Sequence, residues 1–315
     1  MLLPPGWYVC GSVSEFSTKK PNAVRRFAVN WVVWRTSQGQ WIAQEERCPH
    51  RSAKLSLGRI KNDRITCPFH GFEFDQNGTC AFVPEIRKAA AGIRLKSYEL
   101  RESQGFLWFP WKITEMENNQ YDTPWFEDLG PELTFSTSIY VWEQSFSRCV
   151  ENQLDYAHLP FVHSNSIGRG FDPSIKVGFT LDEEKLHVDL GDPTTAKGFF
   201  EFRFPNIWQL HVSERMKQFL AFVPVEENET RIYVRAYHGL TRLPVLRQLI
   251  AWMMVPVNSY ILGQDHFVVI GQEPRDVLKA RDEKLMPSDR AIRAFREWLN
   301  RGEISLSKEG DGRQG

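Results

Sequence analysis

Along the first third of the chain, apolar and polar positions alternate in short runs broken by turn formers, the spacing of half-buried strands. RFAVNWVVWR, Arg26 to Arg35, is rich in β-branched and aromatic residues, and a Ser37-Gln38-Gly39-Gln40 turn joins it to WIAQ as a hairpin. RITCPF and FEFD read as short strands, and Asn77-Gly78 behind them is a two-residue hairpin turn. SYELRESQGFLWFPW gives another strand pair around Gly105. From Thr114 to Pro131 the alternation stops, and an acidic, proline-containing stretch reads as a linker. Beyond it, TFSTSIYVWEQSF, KGFFEFRF, FLAFVPV and RIYVRAYHGL read as strands, with Phe200, Phe202 and Phe204 on one parity. The period then becomes helical. One helix is predicted over Pro244 to Gln272, with a kink at Pro256. A second begins near Ser288 as N-cap with Asp289 in its first turn, and its apolar stripe is Ile292, Phe295, Trp298 and Leu299. These patterns predict an α+β chain with an antiparallel β domain over 1–113, a linker over 114–131 and a mixed domain over 132–315.

Composition narrows this picture. The 315 residues suit about two domains of roughly 150 each. Lysine plus arginine equals aspartate plus glutamate, 39 each, which argues against a nucleic-acid partner. The opening MLLPPGWYVCGSVSEF lacks the basic region and apolar core of a signal peptide. The longest apolar run, Leu249 to Leu262, is broken by Pro256 and Asn258 and reads as a buried core helix too short for a membrane span. Five cysteines without a disulfide-like framework fit a reducing cytoplasm.

Two of those cysteines stand in matched surroundings: Cys48-Pro49-His50, then sixteen residues, then Cys67-Pro68-Phe69-His70-Gly71. Two loops that each offer one thiolate and one imidazole can hold a zinc ion. They also fit a two-iron cluster of the Rieske type, with Cys48 and Cys67 on one iron and His50 and His70 on the other. The prolines stiffen both loops, and Gly71 allows close approach of the backbone. Cys10, Cys80 and Cys149 read as small buried hydrophobes.

CPH, the sixteen-residue gap and CPFHGFEFD resemble the motif of Rieske non-haem iron oxygenases, the terminal (alpha) subunits of ring-hydroxylating, O-demethylating and pheophorbide a oxygenase-like systems. That family usually has a tryptophan after the His-Gly pair, where this chain has Phe72. The resemblance covers nearly the whole chain. It implies a Rieske [2Fe-2S] domain of antiparallel sheets, followed by a catalytic domain of the helix-grip (Bet v 1/START-like) type with a mononuclear Fe(II).

Downstream, ENQLDYAHLPFVHSNSIG holds His158 and His163, and Pro160 predicts that a helix ends near His158, so that the two imidazoles can converge. Two histidines and one carboxylate make the facial triad of non-haem Fe(II) oxygenases. Asp265 lies on an apolar helical face with Ile261, Leu262, Val268 and Val269, where an unpaired carboxylate is costly; His266 is a rival. The resemblance favours Asp265. It also implies that Asp155 hydrogen-bonds His158 and bridges to the partner subunit's His70 in a homotrimer. Asn152 is a candidate polar group near the iron. His187, His211 and His238 read as structural, with Trp208 and His211 candidates to line a pocket.

The chain has no Gly-rich dinucleotide fingerprint and no ferredoxin-type cysteine run, so electrons must come from a separate NAD(P)H-dependent reductase, directly or through a ferredoxin. The expected reaction uses O₂ to hydroxylate or oxidatively demethylate an aromatic or polycyclic small molecule. Two alternatives stay open: a non-enzymatic electron-transfer or redox-sensing protein with a silent second site, and a zinc-stabilised binding module.

Overall fold

The computed structural model of the chain describes residues 3–113, 122–191 and 198–310, with side chains as far as Arg301. Part of the expected linker, residues 114–121, lies outside the described residues. Two units emerge, Gly6–Thr123 and a second made of the residues from Pro124 onward together with those before Gly6.

The first unit is built from β1 (Gly6–Ser12), β2 (Asn22–Arg26), β3 (Val29–Arg35), β4 (Trp41–Glu45), β5 (Arg59–Lys61), β6 (Arg64–Thr66), β7 (Glu73–Phe74), β8 (Thr79–Val83), β9 (Lys88–Arg94), β10 (Ser97–Ser103) and β11 (Phe106–Trp111). They form an antiparallel sheet ordered β1-β11-β10-β4-β3-β2 and a second ordered β5-β6-β7-β8-β9. The Asn77-Gly78 turn is present, and only glycine fits it. Gly78 has φ +77°, and a Cβ there would sit 2.2 Å from the Leu95 carbonyl oxygen. Asp75 Oδ1 fixes the same turn by accepting from the amides of Asn77 and Thr79, each at 2.9 Å.

RFAVNWVVWR differs from expectation. It is two strands, and Phe27 and Ala28 turn between them at φ of 58° and 60°. The left-handed backbone costs roughly 1–2 kcal/mol per residue. Phe27 is 2% exposed, with its ring centroid 4.8 Å from that of Trp111 and 5.2 Å from that of Phe109. Burying such a side chain gains about 1.5–3 kcal/mol, which offsets most of the strain of the two residues.

The second unit holds one antiparallel sheet: β12 (Thr137–Trp142), β13 (Gly178–Leu181), β14 (Lys185–Asp189), β15 (Phe199–Arg203), β16 (Ile207–Ser213), β17 (Met216–Glu226) and β18 (Glu229–His238). The order is β12-β18-β17-β16-β15-β14-β13, a meander closed on one edge by its first strand. Among the described residues, four α-helices accompany it: α1 (Phe146–Leu154), α2 (Leu159–Val162), α3 (Pro244–Val269) and α4 (Arg290–Gly310). The mixed α+β architecture is the expected one.

Two helix details depart from expectation. Ser288 is not an N-cap: Pro287–Asp289 forms a 3-10 turn ahead of α4, and Asp289 accepts from the Met286 amide at 2.6 Å. The stripe still packs, with Ile292, Phe295 and Leu299 buried and Trp298 stacked 4.8 Å from Phe204. The apolar run in α3 is not a buried core helix either. Ala251, Asn258, Leu262, Asp265 and Val269 are buried, whereas Trp252, Met253 and Tyr260 are about 60% exposed. With 26 residues, α3 is also long and apolar enough by composition to cross a membrane. One of its faces packs on the sheet, and the opposite face stays apolar.

Candidate metal centres

The two Cys–His loops share one backbone design. The Cys48 amide donates to Ala53 O at 2.9 Å and the Ser52 amide to Cys48 O at 2.8 Å. In the second loop the Cys67 amide donates to Phe72 O at 2.8 Å and the Gly71 amide to Cys67 O at 3.1 Å. Ser52 and Gly71 occupy equivalent positions and both take positive φ, 56° and 72°. Each loop therefore turns its cysteine inward. Cys48 and Cys67 are 1% and 2% exposed and belong to the same hydrophobic cluster as Leu55, Ile65, Phe72 and Phe74. His50 and His70 face outward with ring centroids 4.6 Å apart, and His50 stacks on Phe72 at 4.6 Å. Phe72 supplies an aromatic surface where the family usually has tryptophan.

Both thiols are free, and burial pushes that of Cys48 up to about 11, with Cys67 beside it adding to the effect. The Cys48 thiol therefore resists ionisation unless a metal takes its charge. The donor set of two buried sulfurs and two outward imidazoles fits a Rieske cluster.

The second group assembles from distant segments. Ser145 caps α1, accepting from the Arg148 amide at 3.3 Å. The helix ends at Leu154, four residues before the expected stop, because the Asp155 carboxylate draws the Ala157 amide into a turn at 2.8 Å. His158 and His163 then flank the short α2, whose first turn accommodates Pro160. Asp155 and His158 are thus not one turn apart on a continuous helix, yet Asp155 Oδ2 still lies 3.6 Å from His158 Nδ1. That nitrogen is buried and has no hydrogen-bond partner.

Asp265, 3% exposed, reaches this pair from α3. Its Oδ1 lies 2.9 Å from His163 Nε2 and 3.4 Å from His158 Nε2. One ligand atom from each of His158, His163 and Asp265 lies within 4.8 Å of the others. Neighbouring ligands at about 2.1 Å from one ion stand ~3 Å apart, so the set fits a divalent metal. His266 points elsewhere and packs against Trp142 at 5.4 Å. Burial disfavours the charged form of His158, but the Asp155 and Asp265 carboxylates outweigh it and raise its pKa to about 9. Burial also opposes charge on Asp265, and the two imidazoles overcome it and hold the carboxyl below its ordinary range. A proton shared among these groups balances charge where a cation fits.

Gln264, which the sequence reading did not single out as a site residue, completes the group. Its Oε1 faces His163 Nδ1 at 2.9 Å and accepts from Ser166 Oγ at 3.1 Å. A carbonyl there keeps the proton on Nδ1 and leaves the Nε2 lone pair for a metal.

All three candidate ligands line a cavity of about 860 Å³ inside the second unit, together with Asn152 and Asp155. Trp208 and His211 line it as well. His211 is tied to Asp128 at 3.0 Å. His187 and His238 have structural partners, Glu201 at 3.6 Å and the Arg247 carbonyl at 2.9 Å. Beneath α1, buried Glu151 joins Arg148 at 3.1 Å and Arg296 at 2.5 Å, and Glu283 completes the network by bonding both arginines.

Residues 6–99 match the family model of the Rieske [2Fe-2S] domain. The chain is 31% identical over 164 residues to protein TIC 55, chloroplastic, of Pisum sativum, a match covering 51% of this chain and only 30% of that protein. It is 24% identical over 322 residues to the methylxanthine N1-demethylase NdmA of Pseudomonas putida, covering 93% and 87% of the two chains. The crystal structure of dicamba monooxygenase bound to dicamba superposes with a TM-score of 0.77 at 17% identity, covering 96% of this chain and 98% of that one. The chain carries a Rieske [2Fe-2S] domain over residues 6–99; over most of its length it is similar in sequence to the demethylase NdmA and shares the fold of dicamba monooxygenase.

Proposed function

We propose that the protein is the oxygenase component of a Rieske system. It uses O₂ and electrons from a separate NAD(P)H-dependent reductase, directly or through a ferredoxin, to hydroxylate or oxidatively demethylate an aromatic or polycyclic small molecule. The observation that carries this reading is the convergence of His158, His163 and Asp265 on a large cavity in a chain that also holds the Rieske loops. An electron carrier or redox sensor has no use for such a cavity. Relatives named as a methylxanthine demethylase and dicamba monooxygenase support the same class.

Cys48, His50, Cys67 and His70 hold the cluster, and His158, His163 and Asp265 hold the mononuclear ion. When bound, the cluster supplies electrons and the ferrous ion supplies O₂ activation. The chain's own residues set the conditions. Gln264 fixes the His163 tautomer, and Asp155 orients His158. The apolar cavity wall excludes water and positions substrate. Asn152 offers a buried amide nitrogen without a partner at the cavity edge. Asp155, whose side chain is 30% exposed, is assigned the further role of coupling His158 to the partner subunit's His70.

Assembly as a homotrimer is consistent with the exposed apolar face of α3, where Val245, Leu249, Trp252, Met253, Tyr260 and Phe267 stand 48–84% exposed. Monomers rarely leave so continuous a surface in water. Five free cysteines suit a reducing compartment such as cytoplasm.

The decisive experiment reduces the iron-loaded protein anaerobically, admits O₂ with a panel of aromatic compounds, and reads product mass. Added oxygen or a lost methyl group is expected. Zinc in place of the cluster, or no O₂ uptake with any compound, overturns the reading. Within it, Asp155→Ala is expected to keep both metal contents and lose turnover; normal product formation removes the coupling role.

A further inference from the structure

The two Cys–His loops share a backbone design but differ in charge. From Arg47 to Asn62 the chain holds five cations, Arg47, Arg51, Lys54, Arg59 and Lys61, and no carboxylate. From Ile65 to Ile86 it holds three carboxylates, Glu73, Asp75 and Glu85, and no lysine or arginine. The whole chain balances at 39 of each sign, so the contrast is local. All five cations are exposed, and none forms an ion pair among the described residues. Arg64, between the two stretches, is paired with Glu73 at 3.2 Å and adds nothing to this excess.

The cations rim an apolar surface through which the cluster ligands reach solvent. Arg51 follows His50 directly, and its guanidinium lies 5.5 Å over the ring of Phe69. Arg47 and Lys54 are paired by an isolated β-bridge at the base of the same turn. Leu57, Phe69 and Ile86, at 73%, 56% and 48%, are the large apolar side chains that the first unit leaves exposed among its described residues. Leu57 stands between Lys54 and Arg59, and Phe69 beside His70 at 3.9 Å. A Cβ on Gly71 would stand 3.0 Å from Pro84 Cγ, which places the turn bearing Ile86 beside the second loop. An apolar centre with a charged, solvated rim is how transient protein interfaces are built. The two exposed imidazoles are therefore not equivalent. His70 lies in the cation-free loop and is already assigned to the partner subunit's Asp155. His50 lies in the cationic one.

We propose that the face formed by Arg47, Arg51, Lys54 and Arg59 around His50 and Leu57 docks an acidic electron-carrier protein, so that electrons arrive on the His50 side and leave on the His70 side. The reduced carrier loses one electron and the cluster gains it; no bond forms or breaks. This deepens the oxygenase reading, on which the need for a separate donor rests. Attraction between the cationic rim and an acidic carrier orients the carrier before contact and raises the rate of productive encounter.

The test is anaerobic stopped-flow reduction of the iron-loaded full chain, followed at the visible absorption of the cluster. The probe is a reduced, acidic plant-type [2Fe-2S] ferredoxin, and reduced methyl viologen, a small cation, is the control. Between about 20 and 300 mM salt the ferredoxin rate constant is expected to fall about tenfold, whereas the viologen rate does not fall. Lys54→Glu combined with Arg59→Glu is expected to slow ferredoxin by about tenfold at low salt without slowing viologen. Should that variant fail to hold its cluster, Lys54→Gln with Arg59→Gln reads the same effect at a smaller size. Arg281→Glu with Lys284→Glu makes the same change of net charge on the second unit and is expected to alter the ferredoxin rate less than about twofold. A salt-independent ferredoxin rate, or equal slowing by the two charge-reversed variants, overturns the proposal. So does dissociation of the native oligomer by Lys54→Glu with Arg59→Glu, seen in sedimentation, because the face would then belong to a second copy. Steered reduction without O₂ chemistry would sink the oxygenase reading alone. Product formation with unsteered reduction would sink only this docking face.

Discussion

Around Cys48 and Cys67 the candidate ligands come from two neighbouring loops, each closed by its own backbone hydrogen bonds. Around Asp265 they come from segments 102 residues apart in sequence, brought together by packing of α3 against the sheet. The first site buries its sulfurs and exposes its imidazoles, which suits a group that exchanges electrons at a surface. The second buries His163 and Asp265 at 1% and 3% exposure and opens onto a cavity, which suits chemistry on a bound molecule. The contrast teaches that the loops can hold their geometry locally, whereas the triad depends on the whole second unit staying folded.

That contrast can be broken most sharply by removing one ligand from each site. Cys48→Ser is expected to abolish the cluster's visible absorption while mononuclear iron remains. Asp265→Ala is expected to abolish mononuclear iron while the cluster spectrum remains. Iron analysis and absorption spectra check both, and loss of both metals from either variant would show that the sites are not independent.

Next in size is the support beneath the triad. Glu151→Gln leaves Arg148, itself 2% exposed, short of a buried partner. Breaking such a pair costs about 3–5 kcal/mol. Thermal unfolding should show a marked drop in the second unit, with the cluster-bearing unit's transition unmoved. A change within about 0.5 kcal/mol would mean that Glu283 alone satisfies both arginines.

Gln264→Leu removes the acceptor facing His163 Nδ1. Loss of such an outer partner typically weakens metal affinity by about 10- to 100-fold. Titration of the chelator-stripped protein with Fe(II) under anaerobic conditions measures this, and unchanged affinity would remove Gln264 from the site.

The smallest expected effect is the pH response of the stripped protein. The pKa of His158 is about 9 when folded, above the ordinary imidazole value of 6.5. Its contribution to stability is therefore complete below that ordinary value and is lost as pH rises through 9. The stripped protein should unfold at a higher temperature near about pH 6 than near about pH 9.5, other groups held aside. Metal affinity should move the other way, rising by up to about tenfold per pH unit until His158 is neutral. A flat affinity profile would mean that the carboxylates do not hold a proton there.

Several features were legible without coordinates because their causes are local. Asn77-Gly78 is a turn because of the backbone freedom of one glycine. The cysteine loops are readable because donor type, spacing and proline stiffening lie within a short stretch. The α4 stripe follows from periodicity alone. Other features escaped for equally physical reasons. Phe27 occupies a left-handed turn because an aromatic cluster buries it, and α1 stops at Leu154 because a carboxylate captures a later amide. The apolar run in α3 resembles a core helix in composition, yet one of its faces is left unpacked.

The amino-acid sequence by itself determined the strand-rich first unit, its two matched Cys–His loops, and the histidine pair of the second unit. These depend on contacts within a few residues, where side-chain type and backbone preference suffice. Only the tertiary structure brought Asp265 rather than His266 to the histidines and supplied Gln264 behind them. Adjacent positions on a helix differ by about 100° in direction, so which of two neighbouring side chains meets a site is decided by how the helix is rotated against the sheet.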